Sequence, residues 1–483
     1  MPERVRTSRF VALIALLLGG CIAVPAHQSA PIPIAKLPQP PVATVNAFHD
    51  WPAETWWQAY ADPQLDDLIG RALADSPTLA GAYVRMAQAS AMANFARSST
   101  FPQVSADLGA TYGRQSANYI NPPPPLGSGG QYVTQGQAAI NLGYDLDLWG
   151  RSAALIRSAQ DQADAAGFDY AAARLALTTS IARVYAQLAS QYDLLDIVTA
   201  TYRQRNEIAD LTEKRMAAGL DTRIEFRQAE TSSATLRSEQ IQLEAAINVS
   251  ALQLAALSGA VPDGSVSITR PQLHVPAFNL PATLPLDLLS RRPEIAAQRA
   301  RIGAAVEEVK AAEGQFYPNI NLAAMIGFQS FGLNRLFTPG SLASSVGPAI
   351  HLPLFDGGRL RAGYALKRAE QDSAIAQYNQ SVLNAAQDVV EQMTRGRMVQ
   401  REAEATASAL AAAQESYRIT RLRYREGLTS YLTVLAVENQ LFSQQRAMAD
   451  VRARTLDLQI ALVRALGGGF VAPPQSSGKF PEQ

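Results

Sequence analysis

Histidine and cysteine, the residues that most often carry catalytic or metal chemistry, are sparse in this chain. Its 483 residues include four histidines (His27, His49, His274 and His351) and one cysteine, Cys21. They are too scattered to form a ligand set or an activated nucleophile, and no glycine loop of the phosphate-cradling type accompanies them. No catalytic residue, cofactor or metal is therefore expected. Where polar side chains do follow a pattern, they are carboxylates and amides that alternate with apolar residues. Gln103, Ser105, Asp107, Gly109 and Thr111 interleave with Val104, Ala106, Leu108, Ala110 and Tyr112. Asn141, Gly143, Asp145 and Asp147 interleave with Ile140, Leu142, Tyr144, Leu146 and Leu148. The pattern returns with Asn319, Asn321, Gly327 and Gln329 against Ile320, Leu322, Ala324, Ile326 and Phe328, and again with Ser345, Gly347 and His351 against Val346, Ile350, Leu352 and Leu354. A period of two places each set on one face of a strand. The chemistry this suggests is that of a wet passage lined by Asp107, Asp145, Asp147, Asn319, Asn321 and His351.

The elements that position these residues are strands near 101–115, 135–149, 317–330 and 344–355, each about as long as a tilted strand needs to cross a bilayer. Pro348 and Pro353 weaken the fourth, because each removes a ladder donor. Backbone groups in lipid must all be paired, so a membrane sheet has to close into a barrel. Bacterial barrels begin at about eight strands, so a chain with four must pool them with copies of itself. The residues alone do not set the number of copies.

Charge and hydropathy exclude two other classes. Forty-two basic and forty-two acidic residues cancel, leaving no excess to neutralise nucleic-acid phosphates. A mean hydropathy of -0.05, with no later run of about eighteen apolar residues, argues against a bundle of transmembrane helices. At the start, Arg4, Arg6 and Arg9 precede the apolar run Phe10 to Leu18, which reads as a signal peptide over 1–20. Leu18-Gly19-Gly20-Cys21 resembles the bacterial lipobox, which makes Cys21 a lipidation (palmitate-bearing) site; the alternative is an ordinary cysteine in a discarded signal. Ile22 in place of Asp after that cysteine favours passage to the outer membrane. Pro-, Ala- and Val-rich residues within 21–61 read as a tether, and 469–483 as a disordered tail.

An internal repeat organises the remainder. Pro77 and Pro102 match Pro293 and Pro318 at an offset of 216, whereas Arg151, Gly219 and Glu230 match Arg359, Gly427 and Glu438 at 208. The eight-residue difference falls between the strands of the first half, around Asn121 to Pro125. The halves span 62–259 and 283–468, with a linker over 260–282. Each reads as helix, strand, loop, strand, long helix, tight turn, helix. Ser152 to Ala218 contains no proline, giving a rod of roughly 100 Å. Ile181, Val184, Leu188, Tyr192, Leu195, Val198 and Tyr202 within it step by three and four, as do Val434, Val437, Leu441, Met448, Val451, Leu458 and Leu462 in the last helix; this is coiled-coil spacing. In the turn Ala218-Gly219-Leu220-Asp221-Thr222, glycine ends one helix and Asp or Thr caps the next. Gly427-Leu428-Thr429-Ser430 would make the same termination with hydroxyl caps.

Trp56-Trp57, Asp62-Pro63, the Phe-Pro and Tyr-Pro strand starts, Leu354 to Arg359, and Arg423-Tyr424-Arg425-Glu426-Gly427, in this order and with the duplication, resemble the outer-membrane factors. These are the TolC-like efflux channels, and the lipoprotein branch of RND-type efflux subunits is the most similar. The resemblance covers roughly residues 50–468. It implies a mixed α and β fold, with a trimeric outer-membrane β-barrel (four strands per chain) continuous with a long periplasmic α-helical coiled-coil barrel. It also implies a passive multidrug-resistance duct for small toxic molecules, a periplasmic adaptor (membrane fusion) protein, and an inner-membrane pump of the RND type. The gate would lie at the helical tip, with Leu432 as its apolar constriction and Tyr424 either bracing it or packing between helices. Thr433 and Ala436 occupy the positions where relatives place gate aspartates, which leaves Glu438 and Glu225 as nearby acids. Thr222-Arg223-Ile224-Glu225 has capping-box spacing, the competing role for Glu225. Gly219, Leu220, Gly427 and Leu428 form the candidate adaptor-docking turns, the alternative for the leucines being a contact that closes the cap. Export of polypeptides in a type I secretion system, or an envelope scaffold with helical arms, are the competing functions.

Overall fold

The computed structural model describes residues 30–31, 53–114, 116, 130, 132–261, 267–275 and 291–471. The signal segment, Cys21, His27, His49 and the Asn121 to Pro125 loop lie outside them. Helices α1 (Pro63–Asp75) and α2 (Pro77–Ser98) lead into strands β1 (Gln103–Arg114) and β2 (Tyr132–Leu146), followed by α3 (Arg151–Ala217) and α4 (Arg223–Leu257). The second half runs through α5 (Pro293–Gly314), β3 (Asn319–Phe331), β4 (Leu342–His351), α6 (Arg359–Arg425) and α7 (Tyr431–Ala465). Both ends of α2 and α5 are 216 residues apart, and both ends of the α3/α6 and α4/α7 pairs are 208 apart. Prolines at the first helical position start α1, α2 and α5, where a missing N–H costs no intrahelical bond.

The four strands form one antiparallel sheet in the order β1-β2-β3-β4. Ser105 lies opposite Asn141, Asp145 opposite Asn321, and Asn319 opposite His351, so the alternating polar residues of all four strands share one face. Val104, Leu108, Ile140, Ile326, Val346 and Ile350 share the other, and all six are exposed in the single chain. The outer edges of β1 and β4 have no partner strand among the described residues. Tyr112 stacks on Tyr132 at 5.7 Å at one end of the sheet, and Trp149 on Tyr317 at 4.8 Å at the other.

Two strand ends differ from expectation. β2 stops at Leu146, which takes Asp147 off the polar face; its carboxylate accepts from the Ala153 N–H at 2.8 Å and caps the start of α3. β4 stops at His351 rather than running to 355, and Leu352 and Leu354 lie beyond it. Pro353 cannot extend a ladder, and the Asp356 carboxylate accepts from Gly358 and Leu360 N–H groups at the start of α6, each at 2.9 Å. Pro348 stays inside β4, opposite Leu322, so the missing N–H does not end the strand.

α3 packs along α2, α4, α5 and α7, and α6 packs along α5 and α7. The largest core lies mid-rod, where Trp56, Tyr60, Leu65 and Ile69 meet Ile181, Tyr185, Leu254 and Ile460; each large apolar side chain buried there contributes about 1.5–3 kcal/mol. Residues 53–61 are thus folded against the rod and are not part of a slack tether. Asp62 joins this core to the linker between the halves. Its carboxylate accepts from the Tyr185 hydroxyl at 2.8 Å, the Gln272 N–H at 2.7 Å and the Gln64 N–H at 3.0 Å. His274 N–H donates to the Tyr60 carbonyl at 2.9 Å, so residues 267–275 form a pinned strap. Phe470, placed in the tail by sequence, packs edge-on against Phe168 at 5.9 Å.

Candidate gate and docking turns at the helical tip

The two tight turns terminate their helices in the same way. Gly219 has φ 75° and Gly427 φ 72°, a region where a Cβ is strained. Leu220 N–H donates to the Arg215 carbonyl and Leu428 N–H to the Arg423 carbonyl, each at 2.8 Å, the long bond of a Schellman termination. Leu220 and Leu428 are each 66% exposed. Neither is buried in closing its own turn.

The helix starts after the turns differ. At α4, Thr222 Oγ1 accepts from the Ile224 N–H at 3.2 Å, and the Glu225 carboxylate accepts from Thr222 at 2.5 Å, completing a capping box. Those hydrogen bonds from Thr222 hold the Glu225 carboxyl below its ordinary pKa. At α7 the expected hydroxyl cap from Thr429-Ser430 does not form. Ser430 is the N-cap, but its side chain makes no bond to the helix backbone and instead lies 3.2 Å from the Thr433 hydroxyl.

Asp221 is not a cap; its carboxylate accepts from Arg215 Nε at 2.9 Å and from the Tyr424 hydroxyl at 3.1 Å. Tyr424 is 1% exposed. Its hydroxyl also lies 3.2 Å from Thr212 Oγ1, and the Arg215 guanidinium stands over its ring at 5.0 Å. Burial pushes the hydroxyl's pKa up, which keeps it a neutral donor. Tyr424 thereby ties α6 to the end of α3 and the first turn.

A second polar cluster lies deeper. Glu438, proposed from sequence as an acid of the gate, is 2% exposed and therefore not displayed on a surface. Its carboxylate accepts from Arg205 Nε at 3.0 Å, while Arg205 also donates to Asn439 Oδ1 and, at 3.4 Å, to the Ser232 carbonyl. Burial raises the Glu438 pKa, with Arg205 opposing the shift. The neighbouring Tyr417 hydroxyl is pushed up to about 12, chiefly by burial and then by the Glu438 charge. Leu432, Thr433 and Ala436 form the exposed face of the first turns of α7, and that face carries no acid. On the sheet, Asp107 accepts from Asn141 Nδ2 at 2.6 Å, and Asn321 Oδ1 accepts from the Tyr144 N–H at 3.3 Å.

The family model for outer membrane efflux proteins matches residues 68–260 and 284–468. The chain belongs to that family. Multidrug resistance outer membrane protein MdtP of Escherichia coli K12 is 32% identical over 467 residues, 95% of each chain. The probable efflux pump outer membrane protein TtgC of Pseudomonas putida is 30% identical over 471 residues, again 95% of each. The crystal structure of the outer membrane protein VceC from Vibrio cholerae superposes with a TM-score of 0.81 at 36% identity, covering 87% of this chain and 100% of that one. Family membership makes this a channel protein and not an enzyme. It also accounts for a sheet and a set of long helical rods in one chain.

Sequence reasoning singled out Tyr424 and Glu438 but missed their partners Asp221, Arg215, Thr212 and Arg205. One signal was available for Arg205: it falls four residues after Thr201 and three before Ile208, both on the buried stripe of α3. A cation on a buried stripe demands a carboxylate partner.

Proposed function

We propose that three copies of this chain close a barrel from their four-stranded sheets and, below it, a helical tunnel. The assembly is a gated exit duct that carries small toxic molecules across the outer membrane. The substrates are handed over by a periplasmic adaptor docked at the Leu220 and Leu428 turns and by an inner-membrane pump of the RND type. The observation that carries this reading is the sheet: one face is apolar, the other polar, and both edges lack partners among the described residues. In lipid such a sheet is tenable only when other copies pair its edges. The polar face then lines water, with Asp107, Asp145, Asn319, Asn321 and His351 on it, and the aromatic stacks at the two ends sit where interface girdles belong. Cys21 acylation would add a lipid anchor at the N-terminus.

The tip supports gating by closure of packed helices, with Leu432 on the inner face and Tyr424 as the brace. The test is single-channel conductance of the purified protein in planar bilayers. Leu432→Gly and Tyr424→Phe are expected to raise the time spent in the large-conductance level. Unchanged traces in both variants would remove the gate from this part of the tip. Deletion of the gene should sensitise cells to small toxic compounds; loss of a secreted polypeptide with unchanged sensitivity would favour protein export instead.

A further inference from the structure

We infer that the connection between β3 and β4 is a membrane shelf, which holds a phosphorylated glycolipid of the outer leaflet against the outside of the barrel. This rests on the membrane-barrel reading proposed above. The connection, residues 332–341, joins the strands at the end of the sheet remote from the long helices. The β2–β3 register places Gly136 opposite Ser330 and Ala138 opposite Phe328, all on the even-numbered, apolar face. The connection lies against that face at two places. The Phe337 ring meets the Phe328 ring edge-on at 5.7 Å. A Cβ added at Gly136 would stand 2.9 Å from Leu333 Cδ2 and 3.3 Å from both Leu336 methyl carbons, so the missing side chain makes the seat in which Leu336 is buried. The connection is thus folded outward over the lipid-facing side and not inward across the mouth.

Its own hydrogen bonds make it a fixed element. The Gly332 N–H donates to the Thr134 carbonyl at 2.7 Å and carries the ladder one residue further. The Arg335 carbonyl accepts from the Thr338 N–H at 3.1 Å and from the Thr338 and Ser341 hydroxyls, each at 2.8 Å. Folded in this way, it still leaves Leu333 and Phe337 52% and 70% exposed. In water that exposure gains nothing, whereas in lipid both side chains extend the apolar face. They lie at the same end of the sheet as the exposed Tyr112 and Tyr132 stack.

Charge selects the kind of lipid. From Leu108 to Tyr144 and from Asn319 to His351 the sequence holds no Asp or Glu, and Arg114 and Arg335 are its only Lys or Arg residues. Arg114 ends β1, and Arg335 ends the short helical turn Leu333–Arg335. Both therefore fall at the end of the sheet away from the helices, where Arg335 is exposed beside Leu333. An acid-free rim with guanidiniums bordering an apolar face fits a lipid that carries phosphate above its acyl chains. At the cell-surface end of an outer-membrane barrel, that lipid is the phosphorylated acyl-sugar of the outer leaflet.

Two measurements on the purified full-length oligomer test the shelf. In the first, Phe337→Trp is reconstituted in vesicles of dioleoyl phosphatidylcholine or its bromine-labelled acyl analogue, and the added emission is read as the difference from wild type. Loss of that emission in brominated lipid, with little effect of aqueous iodide, is the expected result. Quenching by iodide and not by bromine would place the connection in water and overturn the proposal. In the second, native mass spectrometry in mild detergent follows binding of diphosphoryl lipid A, its dephosphorylated form and phosphatidylglycerol. Diphosphoryl lipid A should bind best, and Arg335→Gln should weaken it roughly two- to fivefold without changing the dephosphorylated form. Equal binding of the dephosphorylated form, preference for phosphatidylglycerol, or no loss in Arg335→Gln would overturn the phosphate assignment. A particle of one chain in the same spectra would overturn the multi-copy reading instead, and the bromine result would still decide whether the connection meets lipid.

Discussion

Asp62 ties together three segments far apart in the chain: the start of α1, the middle of α3 and residues 267–275. It is 4% exposed and accepts from Tyr185, Gln64 and Gln272. Asp62→Ala leaves buried donors unpaired, each costing about 1–3 kcal/mol, and should lower the thermal unfolding temperature of the extracted protein with release of the 267–275 strap to protease. Asp161 offers a pH-dependent counterpart. Burial first, then the Asp164 and Glu307 charges, raise its pKa from 3.8 to about 6, against Arg157 and Lys310. Because the folded state favours the protonated form, its contribution to stability is greatest below the unfolded value and is lost as pH rises from 3.8 to about 6. Asp161→Asn should flatten that part of a thermal-stability profile measured against pH, and a wild-type profile already flat there would show the carboxylate to be unshifted. At this scale the sequence was legible where a role is local: the Thr222–Glu225 capping box needs only three residues of spacing. It was not legible for Asp221, whose neighbours Arg215 and Tyr424 reach it from two helices and whose repeat counterpart is Thr429.

At the scale of elements, alternation identified all four strands, and the register then placed every alternating polar residue within them on one face. Strand ends were harder to read, because Asp147 continues the alternation into a segment where its carboxylate serves a helix start. Periodicity cannot distinguish a lumen acid from a cap when both fall on odd positions. Gly327 shows how closely two strands approach. A Cβ there would press into the Ala138 carbonyl oxygen and lie 2.5 Å from Ala139 Cα, atoms of the paired β2 backbone. Gly327→Val is therefore expected to disrupt the β2–β3 ladder, lowering the yield of heat-resistant oligomer in outer-membrane fractions. Normal yield would mean that the ladder can shift without loss. Gly219 and Gly427 should be costly to replace for a different reason: their positive φ alone disfavours a Cβ by about 1–2 kcal/mol.

Across the whole molecule, duplication was the most readable feature. The offsets of 216 and 208 taken from proline, arginine and glycine positions recur at both ends of the matching helices, since helix length and turn position are set by local caps and breakers. What the repeat concealed was its own asymmetry. Arg205 and Ala413 occupy equivalent places, yet the first sits in a buried ion pair and the second in an apolar cluster. Residues 53–61 were also misjudged, because their packing depends on partners far away in the chain and not on local pattern. Pooling of strands by several copies remains the claim on which duct and gate both depend. Native mass spectrometry of the detergent-extracted, full-length protein addresses it directly: a particle of three chains that separates only on strong denaturation is the expected result, and a stable particle of one chain is incompatible with it.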